Sequence, residues 1–370
     1  MFRKDTFLAN GSAWLYNLIY MNEQLFLLIE KLKTEKKLSL EEYVFLLSHR
    51  TEEAAERLRE YAVAARREIY TNKVFIRGLI EISNICKNDC FYCGIRKSNP
   101  NCERYRLTPE AILECCMEGY ELGFRTFVLQ GGEDAFYTDE VLCDLINGIK
   151  KQYPDCAVTL SLGERSRESY QKLFEAGADR YLLRHETTDA SHYGLLHPQE
   201  LFYGNRMRCL RDLKDIGYQT GCGFMVGSPY QTVEHLAKDL KFIEEFQPQM
   251  CGIGPFIPAK DTPFKDKATG TLELTCYLLS IIRLIKPNIL LPSTTALGTI
   301  DPFGREKGIL AGANVVMPNL SPASVRKKYN LYDNKISDGA ESAQSKQTLT
   351  EKMNSIGYEI VTDRGDIKIN

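Results

Sequence analysis

The sequence has no surplus of either charge, since 47 lysines and arginines stand against 49 aspartates and glutamates in 370 residues. A basic excess is typical of proteins that bind nucleic acid or anionic membrane surfaces, so neither partner is expected. The sequence also lacks the uninterrupted apolar stretch of about 18 residues that a transmembrane helix needs. No signal peptide is visible, and the 12 cysteines are therefore expected to be reduced thiols in a cytoplasmic protein.

Two kinds of pattern follow each other along the chain. Residues 22–70 predict helices, with Ser39 and Thr51 as N-caps. From residue 73 onwards, apolar runs alternate with helical stretches whose predicted starts include Thr108, Ser166 and Thr232. We therefore divide the chain into an N-terminal extension with helices, a central domain, and a polar C-terminal tail that packs on it. The boundaries are 1–70, 71–332 and 333–370, and the first twenty residues are expected to have little structural role.

The apolar runs predict the fold. Nearly continuous apolar strands that alternate with helices are typical of parallel strands buried on both faces. Eight such units predict an α/β fold of the (β/α)8 TIM barrel class, with an open doubly wound sheet as the alternative. Polar residues at the ends of several runs favour the barrel, because barrel enzymes build their active sites on that face. In chain order the runs are residues 73–83, 126–130, 157–162, 180–186, 221–226, 250–257, 288–295 and 314–318.

Three cysteines follow the first run. Cys86, Cys90 and Cys93 form a C-x3-C-x2-C motif. Three thiolates on one loop can ligate three irons of a 4Fe-4S cluster and leave the fourth iron open to the amino and carboxylate groups of a methionine. A zinc site would need a fourth ligand, often from a second C-x2-C pair, and no such pair is visible. Most of the remaining cysteines are interpreted as isolated buried residues.

The motif, with Tyr92 before its third cysteine, resembles that of the radical S-adenosylmethionine (SAM) superfamily. Longer strings resemble the HydE maturase family of FeFe-hydrogenase over residues 75–332. The resemblance implies a 4Fe-4S cluster, SAM, and a small anionic iron–carbonyl–cyanide–cysteine substrate. It also implies a one-electron donor such as a ferredoxin or flavodoxin, and other hydrogenase maturases as partners. The matching strings are residues 82–86, 129–134, 159–164, 181–187, 252–258, 294–300 and 312–319.

The tail departs from the family pattern. Some HydE proteins carry additional cysteines there that bind a second cluster. Residues 335–347 contain no cysteine. A second cluster at that place is therefore not expected.

Cofactor-binding residues are expected at the ends of the runs. Arg184 and Glu186 point to the same side of the fourth run. Burying their charges inside a barrel would cost free energy unless they pair with each other or with a ligand. A purely structural ion pair is the alternative to ligand binding. By resemblance, Glu186 contacts SAM, Arg206 holds its methionine carboxylate, and the turn after the second run holds its amino group. That turn can equally be an ordinary βα connection. The expected cofactor-binding residues are Tyr92, Gln130, Gly131, Gly132, Glu133, Ser161, Glu186, Arg206 and Met225.

A small anion-binding pocket is expected inside the barrel, below the cluster. It would combine one fixed cation, neutral donors and apolar walls, which suits a ligand that bears a carboxylate or a cyanide. By resemblance its lining includes Thr159, Arg184, Thr294, Tyr329 and Tyr332. Thr295 and Met317 are expected to add a hydroxyl and a soft apolar wall.

Three other functions remain open at this point. A methylornithine synthase-like radical mutase and a biotin synthase share the barrel, although the cysteines that a biotin synthase would need are not visible. A non-catalytic iron–sulfur carrier or scaffold is the alternative outside enzymes. SAM cleavage would separate the carrier from the enzymes.

Overall fold

The computed structural model describes residues 21–337 and 342–368. The first twenty residues, for which we predicted little structural role, lie outside this part of the chain. No helix in the described ranges is long and apolar enough to cross a membrane.

The helices begin where the sequence predicts. Ser39, Thr51, Thr108, Ser166 and Thr232 each accept a hydrogen bond from the backbone N–H three residues later, as N-caps do. The helices are α1 (within residues 21–35), α2 (Leu40–Ser48), α3 (Glu52–Tyr70), α4 (Pro109–Glu121), α5 (Asp139–Gln152), α6 (Arg167–Glu175), α7 (Ala190–Leu196), α8 (Tyr203–Ile216), α9 (Val233–Phe246), α10 (Leu272–Ile285), α11 (Thr295–Ile300), α12 (Gly304–Leu310), α13 (Ala323–Arg326) and α14 (Lys346–Ser355).

The strands pair with one another in parallel. Their central sheet has the order β2-β3-β4-β5-β6-β8, so consecutive apolar runs are neighbours in space. The strands are β1 (Lys73–Ile76), β2 (Gly78–Ser83), β3 (Thr126–Gly131), β4 (Ala157–Ser161), β5 (Arg180–Leu182), β6 (Gln219–Cys222), β7 (Met225–Val226), β8 (Met250–Cys251), β9 (Gly254–Pro255), β10 (Val315–Val316) and β11 (Glu359–Val361).

The remaining runs link the two edges of this sheet. Met250 forms a parallel β-bridge with Leu290 of the seventh run. Pro292, also in the seventh run, forms a parallel β-bridge with Val315 of the eighth run. The eighth run pairs with β1 and bridges to β2, so it lies beside the first run. Each of the eight runs thus has a parallel neighbour on both sides, which is the arrangement of a (β/α)8 barrel. The predicted fold class is confirmed.

The C-terminal tail does more than cover the surface of the barrel. Its strand β11 pairs with β1, and residues 364–366 lie across the N-terminal ends of the barrel strands. There Arg180, which is fully buried, donates hydrogen bonds to Thr126, to the carbonyl of Arg364 and to Asp366. Arg77 donates to the carbonyl of Gly365. The sequence alone gave no sign of this contact, because its partners are 184 to 288 residues apart. The division of the chain at residues 70 and 332 stays a prediction.

This contact predicts a loss of stability in the variant Asp366→Asn. Asp366 Oδ1 lies 2.6 Å from the Arg180 guanidinium, and the variant leaves that buried cation without its carboxylate. Breaking a fully buried pair costs about 3–5 kcal/mol. We expect a smaller loss of about 2 kcal/mol, because Asp366 is 39% exposed and water screens part of the interaction. Chemical denaturation measures the free energy of unfolding, and Glu351→Ala on the exposed side of α14 is the control, with no expected change.

Candidate cofactor and substrate site

A cavity of about 340 Å³ opens at the C-terminal ends of the barrel strands. Most of the residues that the sequence proposed for the cofactor and the substrate line it together. Cys86, Cys90, Gly132, Glu133 and Thr159 are not part of its wall. The proposed residues that do line it are Tyr92, Cys93, Gln130, Gly131, Ser161, Arg184, Glu186, Arg206, Met225, Thr294, Thr295, Met317, Tyr329 and Tyr332.

The cysteine loop carries three free thiols beside this cavity. Backbone N–H groups of Asn88 and Glu133 point at Cys86 Sγ, at 3.5 and 3.4 Å. Burial raises the pKa of all three thiols, and that of Cys93 to about 12. Such thiols stay protonated near neutral pH unless a cation stabilises the thiolate, which is what cluster iron does. The donor set therefore fits an iron–sulfur cluster.

The same loop does not resemble a site for a single metal ion. In residues 21–337 and 342–368, no three His, Cys, Asp or Glu side chains converge as ligands of one ion. A 4Fe-4S cluster does not need three ligands around one ion, because each thiolate would ligate a different iron. The arrangement is consistent with the cluster and does not favour the zinc alternative.

The turn after β3 packs against the cysteine loop. A Cβ atom on Gly132 would lie 2.3 Å from the Ile85 carbonyl oxygen and 2.8 Å from Cys86 Cβ, so only glycine fits there. The Glu133 carbonyl accepts a hydrogen bond from Lys87 N, and its carboxylate pairs with Lys87 Nζ at 3.0 Å. Gly132 and Glu133 thus position the cysteine loop, whereas Gly131 lies on the cavity wall.

Arg184 and Glu186 form an ion pair on the cavity wall. Arg184 Nη2 lies 2.9 Å from Glu186 Oε2, but Arg184 Nε is buried without a hydrogen-bond partner. Glu186 has a φ of 64°, which is uncommon outside glycine and typical of strained functional sites. Arg206 donates to the Arg184 carbonyl at 2.6 Å and to Glu164. Sequence reasoning missed Glu164 as the anchor of Arg206, although it ends a string that resembles the family.

An apolar surface adjoins this pair. Tyr92 and Met225 pack with Leu196, Phe256 and Phe264. The Tyr92 hydroxyl lies 3.1 Å from His197 Nε2, and His197 Nδ1 lies 2.9 Å from the Tyr193 carbonyl oxygen. Burial lowers the pKa of His197 to about 3, so this histidine is neutral. The hydrogen-bond network assigns its proton to Nδ1 and lets Nε2 accept from Tyr92. Apolar side chains at the cavity wall suit an aromatic ring of a ligand.

Unpartnered polar atoms lie on and below the cavity wall. Besides Arg184 Nε, the Oγ1 atoms of Thr159 and Thr294 are buried without a hydrogen-bond partner. Thr159 is 2% exposed and lies two residues deeper in β4 than Ser161. Buried polar groups are normally hydrogen-bonded, and a bound ligand is one way to satisfy them. A ligand with acceptor atoms would satisfy these donors, and the anion-binding pocket stays a prediction.

Two charged residues of the cavity were missed by sequence reasoning. Glu81 of β2 and Lys335 of the tail both line the cavity and form an ion pair. Glu81 sits in an apolar run, and Lys335 belongs to a polar tail without periodicity. Only the tertiary structure brings them together.

His185 faces away from the cavity, as predicted from strand alternation. It is fully buried, and its Nε2 lies 3.4 Å from Asp239 Oδ1 of α9. Its ring packs edge-on against Phe242.

The cysteine loop predicts one cluster per chain. After anaerobic reconstitution and gel filtration we expect about four irons per chain, because residues 335–347 supply no cysteine for a second cluster. Iron and protein determination on the same fractions measures the ratio. A reproducible ratio near six or eight would contradict a single cluster.

Comparison with known proteins gives consistent results. The family model of the radical SAM superfamily matches residues 80–243. The [FeFe] hydrogenase maturase subunit HydE of Thermotoga maritima is 47% identical over 281 residues, which cover 76% of this chain and 80% of that protein. The 3-methylornithine synthase of Methanosarcina acetivorans is 29% identical over 89% of this chain and 92% of that protein.

Solved structures share the fold. Methylornithine synthase (PylB) superimposes with a TM-score of 0.77 at 26% identity, over 90% of this chain and 97% of that one. The three-cysteine loop, the cavity beside it and the extent of the HydE match agree on the class of enzyme. This chain is a radical SAM enzyme that uses a 4Fe-4S cluster and SAM, and it belongs to the family of the [FeFe] hydrogenase maturase subunit HydE.

Proposed function

We propose that this protein matures FeFe-hydrogenase by acting on a small iron–carbonyl–cyanide–cysteine precursor of the diiron site. The observation that carries the proposal is the 47% identity to a HydE maturase over most of the chain. The cavity supports it, because arginine, threonine and tyrosine groups face a space of about 340 Å³, which suits a small anionic ligand.

Each cofactor has a proposed set of residues. Cys86, Cys90 and Cys93 hold the cluster, which when bound supplies the electron that cleaves SAM to methionine and a 5'-deoxyadenosyl radical. Arg206 orients the methionine carboxylate, since a guanidinium matches a carboxylate in geometry and charge. Glu186 accepts hydrogen bonds from SAM. The remaining SAM contacts come from Gln130, Gly131 and Ser161 at the strand ends, and from the apolar surface of Tyr92 and Met225.

The substrate is proposed to bind deeper in the cavity, next to the SAM site. Arg184 supplies a cation, and Thr159, Thr294 and Thr295 supply hydroxyls. Met317 forms an apolar wall. Tyr329 and Tyr332 cover the mouth and keep water from a reactive radical. A ferredoxin- or flavodoxin-like donor provides the electron, and other maturases deliver the substrate.

Co-expression tests this function directly. The chain is expressed anaerobically with an apo-FeFe-hydrogenase and the other maturases, and hydrogen evolution is measured per hydrogenase. We expect active hydrogenase only when the chain is present. Inactive hydrogenase with a cluster-loaded chain would contradict the proposal.

A radical mutase of the methylornithine synthase class is the second candidate. The match to the PylB structure over 97% of its length favours it, and a cavity with paired cations and carboxylates suits an amino acid. Incubation of the reconstituted enzyme with SAM, a reductant and lysine separates the two. A methylornithine product would favour the mutase.

A further inference from the structure

The tail places a buried ammonium group in the cavity. Lys335 lies three residues after Tyr332, and its side chain is only 9% exposed. Its Nζ donates to Glu81 Oε1 and to the Tyr329 carbonyl oxygen, at 2.5 and 2.9 Å. It also lies 5.0 Å from the centre of the Tyr329 ring. An ammonium group has three hydrogens, and these contacts use two of them.

The carboxylate of Glu81 is fixed in position beside the Lys335 ammonium group. It is fully buried on β2, and its second carboxylate oxygen accepts a hydrogen bond from Asn319 Nδ2 at 2.9 Å. Its backbone N–H donates to Ser321 Oγ at 2.8 Å. Each carboxylate oxygen of Glu81 therefore accepts one hydrogen bond from the protein, and a carboxylate has no hydrogen to donate to an anion. The unused donor of the pair belongs to Lys335.

The Glu81–Lys335 ion pair is not expected to add much to the stability of the fold. Burying two charges costs several kcal/mol per ion before their attraction is counted, and apolar residues of similar size often serve as well. Both residues also belong to the lining of the cavity. A cation at that position can instead bind an anion that enters the cavity.

We propose that Lys335 is a substrate-binding residue that holds an anionic acceptor group of the substrate, while Arg184 holds a second one from the opposite end of the ligand. This assignment rests on the proposed maturase function. It implies a substrate with two separated anionic groups, such as a carboxylate and a metal-bound cyanide.

A double-variant comparison separates ligand binding from a structural ion pair. Lys335→Met removes the cation but leaves Glu81 buried without its partner. The double variant Glu81→Gln/Lys335→Met also removes that uncompensated charge. If the pair is only structural, the double variant recovers hydrogenase maturation. If Lys335 binds the substrate, both variants stay at least tenfold below the wild type in hydrogen evolution per hydrogenase.

Lys352→Met is the matched control. Lys352 is another tail lysine paired with a buried glutamate, Glu306, at 3.3 Å, and it does not line the cavity. We expect wild-type maturation from it. Iron content and thermal unfolding are measured for every variant. Should Lys335→Met fold poorly, Lys335→Arg decides, because it keeps a cation and is expected to mature more hydrogenase than the double variant.

The outcomes are distinguishable. A wild-type chain that fails to mature hydrogenase overturns the proposed function and this assignment with it. A wild-type chain that works beside a double variant with more than half its activity overturns only the role of Lys335. Low activity of the double variant with normal iron content supports substrate binding.

Discussion

Replacing Cys86, Cys90 or Cys93 with alanine is expected to reduce 5'-deoxyadenosine formation from SAM to background. In the predicted site each thiolate would ligate a different iron, so the loss of one would leave the cluster with two protein ligands and without a stable open iron for SAM. The measurement is 5'-deoxyadenosine release under reducing, anaerobic conditions, together with iron content. Any of the three variants that formed normal amounts of product would contradict the cluster assignment.

Cys102→Ala is the control for these variants. Cys102 is the next cysteine along the chain, and it accepts a 3.5 Å hydrogen bond from Asn84 Nδ2. It is outside the three-cysteine motif, so we expect wild-type iron content and SAM cleavage. Circular dichroism verifies that all variants fold.

The Arg184→Lys variant is expected to keep substrate-free SAM cleavage and to lose most hydrogenase maturation. Lysine keeps the charge but loses the planar fork with which a guanidinium holds an anion. Arg184 uses Nη2 for Glu186, and its buried Nε has no partner in the protein. That free donor is the one we expect the substrate to use.

Hydrogen evolution by co-expressed hydrogenase and 5'-deoxyadenosine formation are measured side by side. Arg211→Lys, an exposed position on α8, is the control, with no expected change in either. Normal maturation by Arg184→Lys would mean that Arg184 only pairs with Glu186, and the substrate pocket would need another cation.

Local patterns were enough to predict the barrel and the helix starts. A threonine or serine before a helix acts through its own next three residues, as Thr108 and Thr232 do. An alternation of buried strands and helices leaves few parallel arrangements. The cysteine motif is also local, since its three residues lie within one loop.

Strand alternation also placed several cavity residues correctly. Arg184 and Glu186 share the cavity wall, and His185 between them faces α9. β5 itself ends at Leu182 and Glu186 has a φ of 64°, so the segment that follows the strand sets these orientations, although the rule for strands anticipated them.

The sequence by itself determined the fold class, the cluster motif and the family, because each depends on spacing along a short stretch or on strings of matching residues. The tertiary structure decided which distant charges meet. Glu164 holds Arg206, Glu81 holds Lys335 across 254 residues, and Asp366 holds Arg180 across 186. Such pairs leave no repeating pattern in the sequence, since each pair consists of only two residues that are far apart along the chain. Burial makes them matter, because a charge removed from water requires a partner in the folded chain.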